Sequence, residues 1–214
     1  MEFEKSSKDR WNDLIKRAGS NQNSDNIYNF LNRKYSEPKR KYHNFDHVKN
    51  CLYHLDKVKD LLEFEVSVEL AIWFHDVVYK TRSDINEEDS AVYAKKALWD
   101  LGVDGEIVEK VYDLIIATKH DGVVYDLDSK YLIDIDLSIL GDNKDDFLQY
   151  EKNIRKEYSW VPYFFYKKKR FEVLKRFLER KFIYGTDFFR ERYELKARSN
   201  LNFVLKTYRK IYPD

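Results

Sequence analysis

The stretch AIWFHDVVYK, residues 71–80, sets an imidazole and a carboxylate side by side in one of the most apolar parts of the chain. Burying an unpaired carboxylate costs several kcal/mol or drives it to take up a proton, so Asp76 needs compensation. A metal ion held by His75 and Asp76 is one solution. A buried Lys or Arg partner, or a loop that exposes the pair to water, are the others. The chain carries four more histidines: His43, His47, His54 and His120. His-Asp recurs at His120-Asp121, but a glycine follows it and a loop is expected there. His47 aligns with Cys51, Leu55 and Val58 on an apolar helical stripe. His43 lies four residues earlier, the spacing of paired ligands on one helix face if the helix begins that soon. The alternative makes one of these two histidines a cap and the other a packing residue. His54 is seven residues beyond His47, about 10 Å along a helix and too far to share one ion. It reads as a surface or satisfied core residue. Asp136 shares a helical face with Leu132, Ile133, Ile139 and Leu140, which makes it a candidate ligand. Asp134 falls beside Lys130 and Ser138, in a supporting or solvated position.

Helices must position these groups. Only 6 Gly and 3 Pro occur among 214 residues, too little turn chemistry for a many-stranded sheet. Spacing predicts helices at about 8–18, 25–35, from 48 to 62, and 66–75, the last apolar around nearly its whole circumference. Further helices are expected from Asn86 to near Gly102, over 104–118, and at about 143–157, 162–183 and 188–211. YLIDIDLSILG alternates like a strand and also presents one helical face; with no second strand to pair with, it is read as helix. The expected fold is all-α, a single domain over 1–214.

The formal net charge of +1 argues against a general nucleic-acid footprint. The KKKR run at 167–170 is read as a solvated helical face, and Phe164, Phe165, Phe171, Leu174 and Leu178 as core. One cysteine excludes an intramolecular disulfide and points to a reducing, intracellular setting. The N-terminus lacks an apolar signal region, and no apolar run approaches the roughly 20 residues of a membrane span. A cytoplasmic protein without membrane association is expected.

The order His47, His75-Asp76, Asp136 resembles the H…HD…D pattern of the HD superfamily of metal-dependent phosphohydrolases. EPKRKYHNFDH (37–47) is similar to the entry motif of one subfamily of about this length. The likeness continues through FHDVVY (74–79), NEEDSA (86–91), ATKH (117–120), DIDLSILG (134–141), IRKEYSWV (154–161) and ARSNL (197–201). The resemblance implies an HD-type helical bundle in which His47, His75, Asp76 and Asp136 are the primary metal ligands. Imidazoles mixed with hard carboxylate oxygens suit Mn²⁺, Fe, Ni²⁺, Zn²⁺ or Mg²⁺. His43 and His120 are candidates for a second ion about 3.5–4 Å from the first, or for phosphate.

The implied reaction is hydrolysis of a phosphomonoester, phosphodiester or phosphoanhydride of a nucleotide or another small phosphorylated molecule. The resemblance does not supply the substrate. Asp76 and Glu87 are the catalytic candidates, with Glu88 able to replace Glu87; the plain alternative for Glu87 is an acid complementing a helix N-terminus. Arg40, Lys119 and Arg155 are the candidate phosphate clamps, and Tyr42 or Tyr79 a stacking surface for a base. The competing readings are a non-catalytic metal or nucleotide sensor and a helical nucleic-acid-binding protein, the latter disfavoured by the charge balance.

Overall fold

The computed structural model describes residues 6–119 and 126–209. It is all-α: ten α-helices, two short 3-10 turns and no strand among the described residues. None of these helices is long and apolar enough to cross a membrane. The chain divides into two compact units, Met1–Leu132 and Ile133–Asp214.

The first unit contains α1 (Ser7–Arg17), α2 (Asp25–Tyr35), α3 (Phe45–Asp56), α4 (Glu65–Phe74), α5 (Asn86–Asp100) and α6 (Gly105–Ala117). Polar side chains start several of them: Ser6 accepts from the Asp9 N–H, Asn44 from Asp46 and His47, and Asp104 from Glu106. α4 is the central element. Every residue from Ser67 to Phe74 is buried, as apolar residues around nearly its whole circumference predict, and α1, α3, α5 and α6 pack around it. Trp11 meets Trp73 and Phe74 edge-on at 5.5 and 5.8 Å, and its indole N–H donates to Ser24 Oγ. The one acid within α4's buried span, Glu69, is paired with Arg10 and Arg17 of α1. Asp128 accepts from the N–H groups of Glu63 and Phe64 and so anchors the start of α4.

α7 (Leu127–Asp136) crosses the division, and a 3-10 turn (Leu137–Gly141) continues it. The helical reading of YLIDIDLSILG is the correct one. The second unit adds α8 (Lys144–Glu157), α9 (Tyr163–Glu179) and α10 (Asp187–Arg209), with α10 against the 3-10 turn and α9. A Cβ on Gly141 would lie 2.6 Å from that of Tyr193, so only glycine lets the turn approach α10 this closely.

Two expectations for α9 fail. Phe164 and Phe165 are exposed, because the buried stripe runs through Tyr166, Arg170 and Leu174 at four-residue spacing. For the same reason KKKR is not a uniformly solvated face. Lys168 and Lys169 are exposed, while Lys167 and Arg170 are buried or nearly so.

Candidate metal centre

α4 ends at Phe74, and the backbone turns at once: the Val77 N–H donates to the Phe74 carbonyl. Neighbouring residues on a continuing helix diverge by about 100°, so this ending is what lets His75 and Asp76 point the same way. Ser90 of α5 grips the following segment by accepting from the Val78 N–H and donating to its carbonyl.

His47, held in the first turn of α3 by the Asn44 cap, faces His75 across the unit, and both imidazoles are buried. Their Nε2 atoms are 3.1 Å apart, and Asp76 Oδ2 lies 3.2 Å from His75 Nε2 and 3.7 Å from His47 Nε2. His75 Nδ1 is 2.9 Å from the Ile72 carbonyl, which can only accept. That nitrogen therefore carries the proton, and a neutral His75 presents a bare lone pair at Nε2. A point about 2 Å from all three atoms exists, the length of a metal–nitrogen or metal–oxygen bond. These residues fit a divalent cation.

Among the described residues, no Lys or Arg pairs with the Asp76 carboxylate. Burial opposes its ionisation, yet the imidazoles of His75, His43 and His47 outweigh burial and hold the carboxyl well below the usual carboxylate range.

Sequence reasoning placed Cys51 on the His47 stripe but not at the site. His47, Cys51 and His75 offer atoms within 4.8 Å of one another and form a group that could hold a metal ion. The i, i+4 spacing from His47 was the available signal. Cys51 Sγ is 3.8 Å from both Nδ1 and Nε2 of His47. A sulfur equidistant from the two nitrogens lies off the line of either lone pair, so the thiol packs on the ring in this arrangement.

His43 lies outside α3, since Asn44 is the cap, and the two histidines do not share a helix face. It stacks on Tyr79 at 4.1 Å, with Tyr42 edge-on at 5.0 Å. His120 lies outside the described residues. Glu87, in the first turn of α5, has its carboxyl pushed up, by burial first and by the charges of Asp76 and Glu88. Asp136 ends α7 in the second unit, half-buried, and its charge acts on Tyr150. Asp134 is not solvated. It is fully buried and accepts from the N–H groups of Gly185 and Thr186 and the Thr186 hydroxyl, while burial pushes it up to about 6.

The three proposed phosphate clamps have other contacts. Arg40, 5% exposed, donates to the carbonyls of Asp76, Val77 and His43 and stacks over Tyr35 and Tyr79. Arg155 donates to the Tyr158 and Val161 carbonyls and so closes the turn between α8 and α9. Lys119 pairs with Glu88.

His54 is buried, which settles its two sequence readings in favour of the core. Burial and the nearby Lys57 charge push its imidazole down to about 4. The unfolded chain binds that proton near pH 6.5 and the folded chain only near 4, so stability falls as pH drops through this window. The expected loss is on the order of 3 kcal/mol by pH 4. Urea unfolding from pH 7 to 4 should show a shallower decline for His54→Gln than for the parent; parallel curves would remove His54 as the cause.

No known protein family, curated protein or solved structure matches the chain.

Proposed function

We propose that the protein is a metal-dependent phosphohydrolase of the HD type, with His47, His75, Asp76 and Asp136 as ligands. The observation that carries this reading is the convergence of two imidazole nitrogens and a carboxylate oxygen at one metal-bond length from a common point, in a buried setting where, among the described residues, no Lys or Arg pairs with the Asp76 carboxylate. Asp136 joins the set on the H…HD…D order. When bound, the ion supplies Lewis-acid stabilisation of phosphoryl charge and a more acidic water.

The chain's own residues do the rest. The Ile72 carbonyl fixes the His75 tautomer, and Arg40 anchors the backbone that carries Asp76. Glu87, close enough to feel the Asp76 charge and raised by burial, is the candidate to hold a proton for the leaving group. His43, stacked on Tyr79, is the candidate for a phosphate or a second ion. A nucleotide or other small phosphorylated molecule fits this chemistry as substrate.

Elemental analysis of the purified protein should find close to one equivalent of divalent metal. A library of nucleotides and sugar phosphates, screened with added Mn²⁺ or Ni²⁺, should yield metal-dependent release of phosphate. A protein that binds metal but releases no phosphate from any of them is the sensor of the competing reading.

A further inference from the structure

α9 has one inward and one outward side. Arg170 lies on the inward side with buried Tyr166 and Leu174; its Nε meets Glu151 at 3.2 Å and its Nη2 donates to the Tyr150 hydroxyl at 2.7 Å. The outward side carries Phe164, Phe165, Lys168, Lys169, Lys175 and Arg176, all exposed. Spacings of four and then seven residues keep them on one face. Trp160 precedes the helix and Tyr163 opens it, and with Phe164 and Phe165 they are 48–60% exposed. A single exposed apolar residue needs no explanation, whereas four aromatic side chains within six positions do.

Charge gathers in the same place. Residues 163–181 hold eight Lys or Arg and two Glu, a formal net charge of +6 in a chain whose total is +1. The remainder therefore carries −5. Lys169 and Lys175 pair loosely with Glu172 and Glu179, at 3.3 and 3.4 Å, and both pairs lie in solvent, where such contacts exchange readily. Lys168 and Arg176 pair with no acid among the described residues. Burial and the neighbouring Arg176 charge push the Arg180 guanidinium down, as expected where cations crowd one another.

We propose that this face of α9, led by Trp160 and Tyr163, docks on an anionic phospholipid surface. The aromatic end sits at headgroup level, where amphipathic rings are favoured, and the lysines and Arg176 meet the lipid anions. Each cation close to an anionic leaflet strengthens partitioning by roughly fivefold. Nucleic acid is the rival polyanion. Phe164 and Phe165 stand edge to face, with planes 90° and centroids 5.6 Å apart, whereas successive bases stack on parallel platforms. A lipid interface imposes no such orientation. The expectation of no membrane association rests on the lack of a spanning run, and surface docking requires none. This face belongs to the second unit alone and depends on neither the metal centre nor the phosphohydrolase reading.

The test is sedimentation of the full chain with vesicles of phosphatidylcholine, either alone or mixed equally with phosphatidylserine. Binding to the mixed vesicles is expected, falling with added salt, and binding to the neutral ones should be weak or absent. Joint Lys168→Gln and Arg176→Gln substitution should weaken binding about 25-fold. The melting temperature should not move, because both side chains are exposed. Phe165→Ser should weaken binding about tenfold while leaving its salt dependence in place. Tryptophan emission should shift to the blue on the mixed vesicles, and Trp160→Phe should remove the shift, since Trp11 and Trp73 are already buried. No sedimentation with the mixed vesicles, equal binding to the neutral ones, or unchanged affinity in the double variant overturns the docking surface. Salt-sensitive retention of a single-stranded oligonucleotide without vesicle binding also overturns it, and assigns the face to nucleic acid.

Discussion

His75→Ala should bring bound metal from about one equivalent to background and cut phosphate release by roughly three orders of magnitude. The expectation follows from geometry: Nε2 of His75 is the atom closest to both other donors, at 3.1 Å from His47 and 3.2 Å from Asp76. Of the three converging atoms, removing it leaves a pair 3.7 Å apart, and the proposed set of four falls to three, one of them joined on sequence order alone. Lewis-acid stabilisation is worth several kcal/mol, and each 1.36 kcal/mol is tenfold in rate. Metal at a hundred times its dissociation constant should also stabilise the parent by about 2.7 kcal/mol, and the variant not at all. Thermal melts with and without Mn²⁺ read this directly. A His75→Ala protein that keeps its metal, or gains as much from Mn²⁺ as the parent, would falsify the centre. Asp76→Asn is the companion variant: it keeps the shape and removes the charge that draws the cation, and the same loss is expected of it.

Arg40→Lys separates two roles for the other side chain of large expected effect. Arg40 Nη1 lies 2.5 Å from the Asp76 carbonyl and 3.3 Å from that of His43, and Nη2 lies 2.9 Å from that of Val77. A lysine ammonium reaches one of these acceptors and leaves the others unsatisfied, at about 1–3 kcal/mol each. Arg40→Lys should therefore lose roughly 3 kcal/mol of stability in urea unfolding. It should also bind metal some 10–100-fold more weakly, because the backbone carrying Asp76 loses its anchor. A phosphate clamp at this position predicts the reverse: unchanged stability and metal affinity, with KM for the phosphorylated substrate raised.

The two variants test different layers of one construction. His75 supplies a donor atom, whereas Arg40 supplies the geometry that makes a consecutive His-Asp pair convergent. The helix ending at Phe74 is the link between them. An α4 extended through Asp76 would swing the carboxylate away from His47, and Arg40's grip on the Asp76 and Val77 carbonyls holds the chain in its turn instead.

Much of this was legible in the amino-acid order. Scarce glycine and proline and the 3.6-residue spacing of apolar positions are local properties, and they determined the all-α class and most helix positions. The buried character of α4 follows from an apolar run that covers its circumference. The demand for compensation at Asp76 also follows from sequence alone, since it needs only an acid among large apolar neighbours. Tertiary structure decided everything that depends on direction. An arginine in a specific motif reads identically whether its guanidinium meets a phosphate or three carbonyls, so the role of Arg40 was not readable. KKKR and the phenylalanines beside it were misjudged because the buried stripe of α9 is set by what packs on it, and a rotation of one residue exchanges the faces. Partners distant in sequence, such as Arg170 with Glu151 or His47 with His75, exist only after folding, because no local spacing records which atoms point at one another.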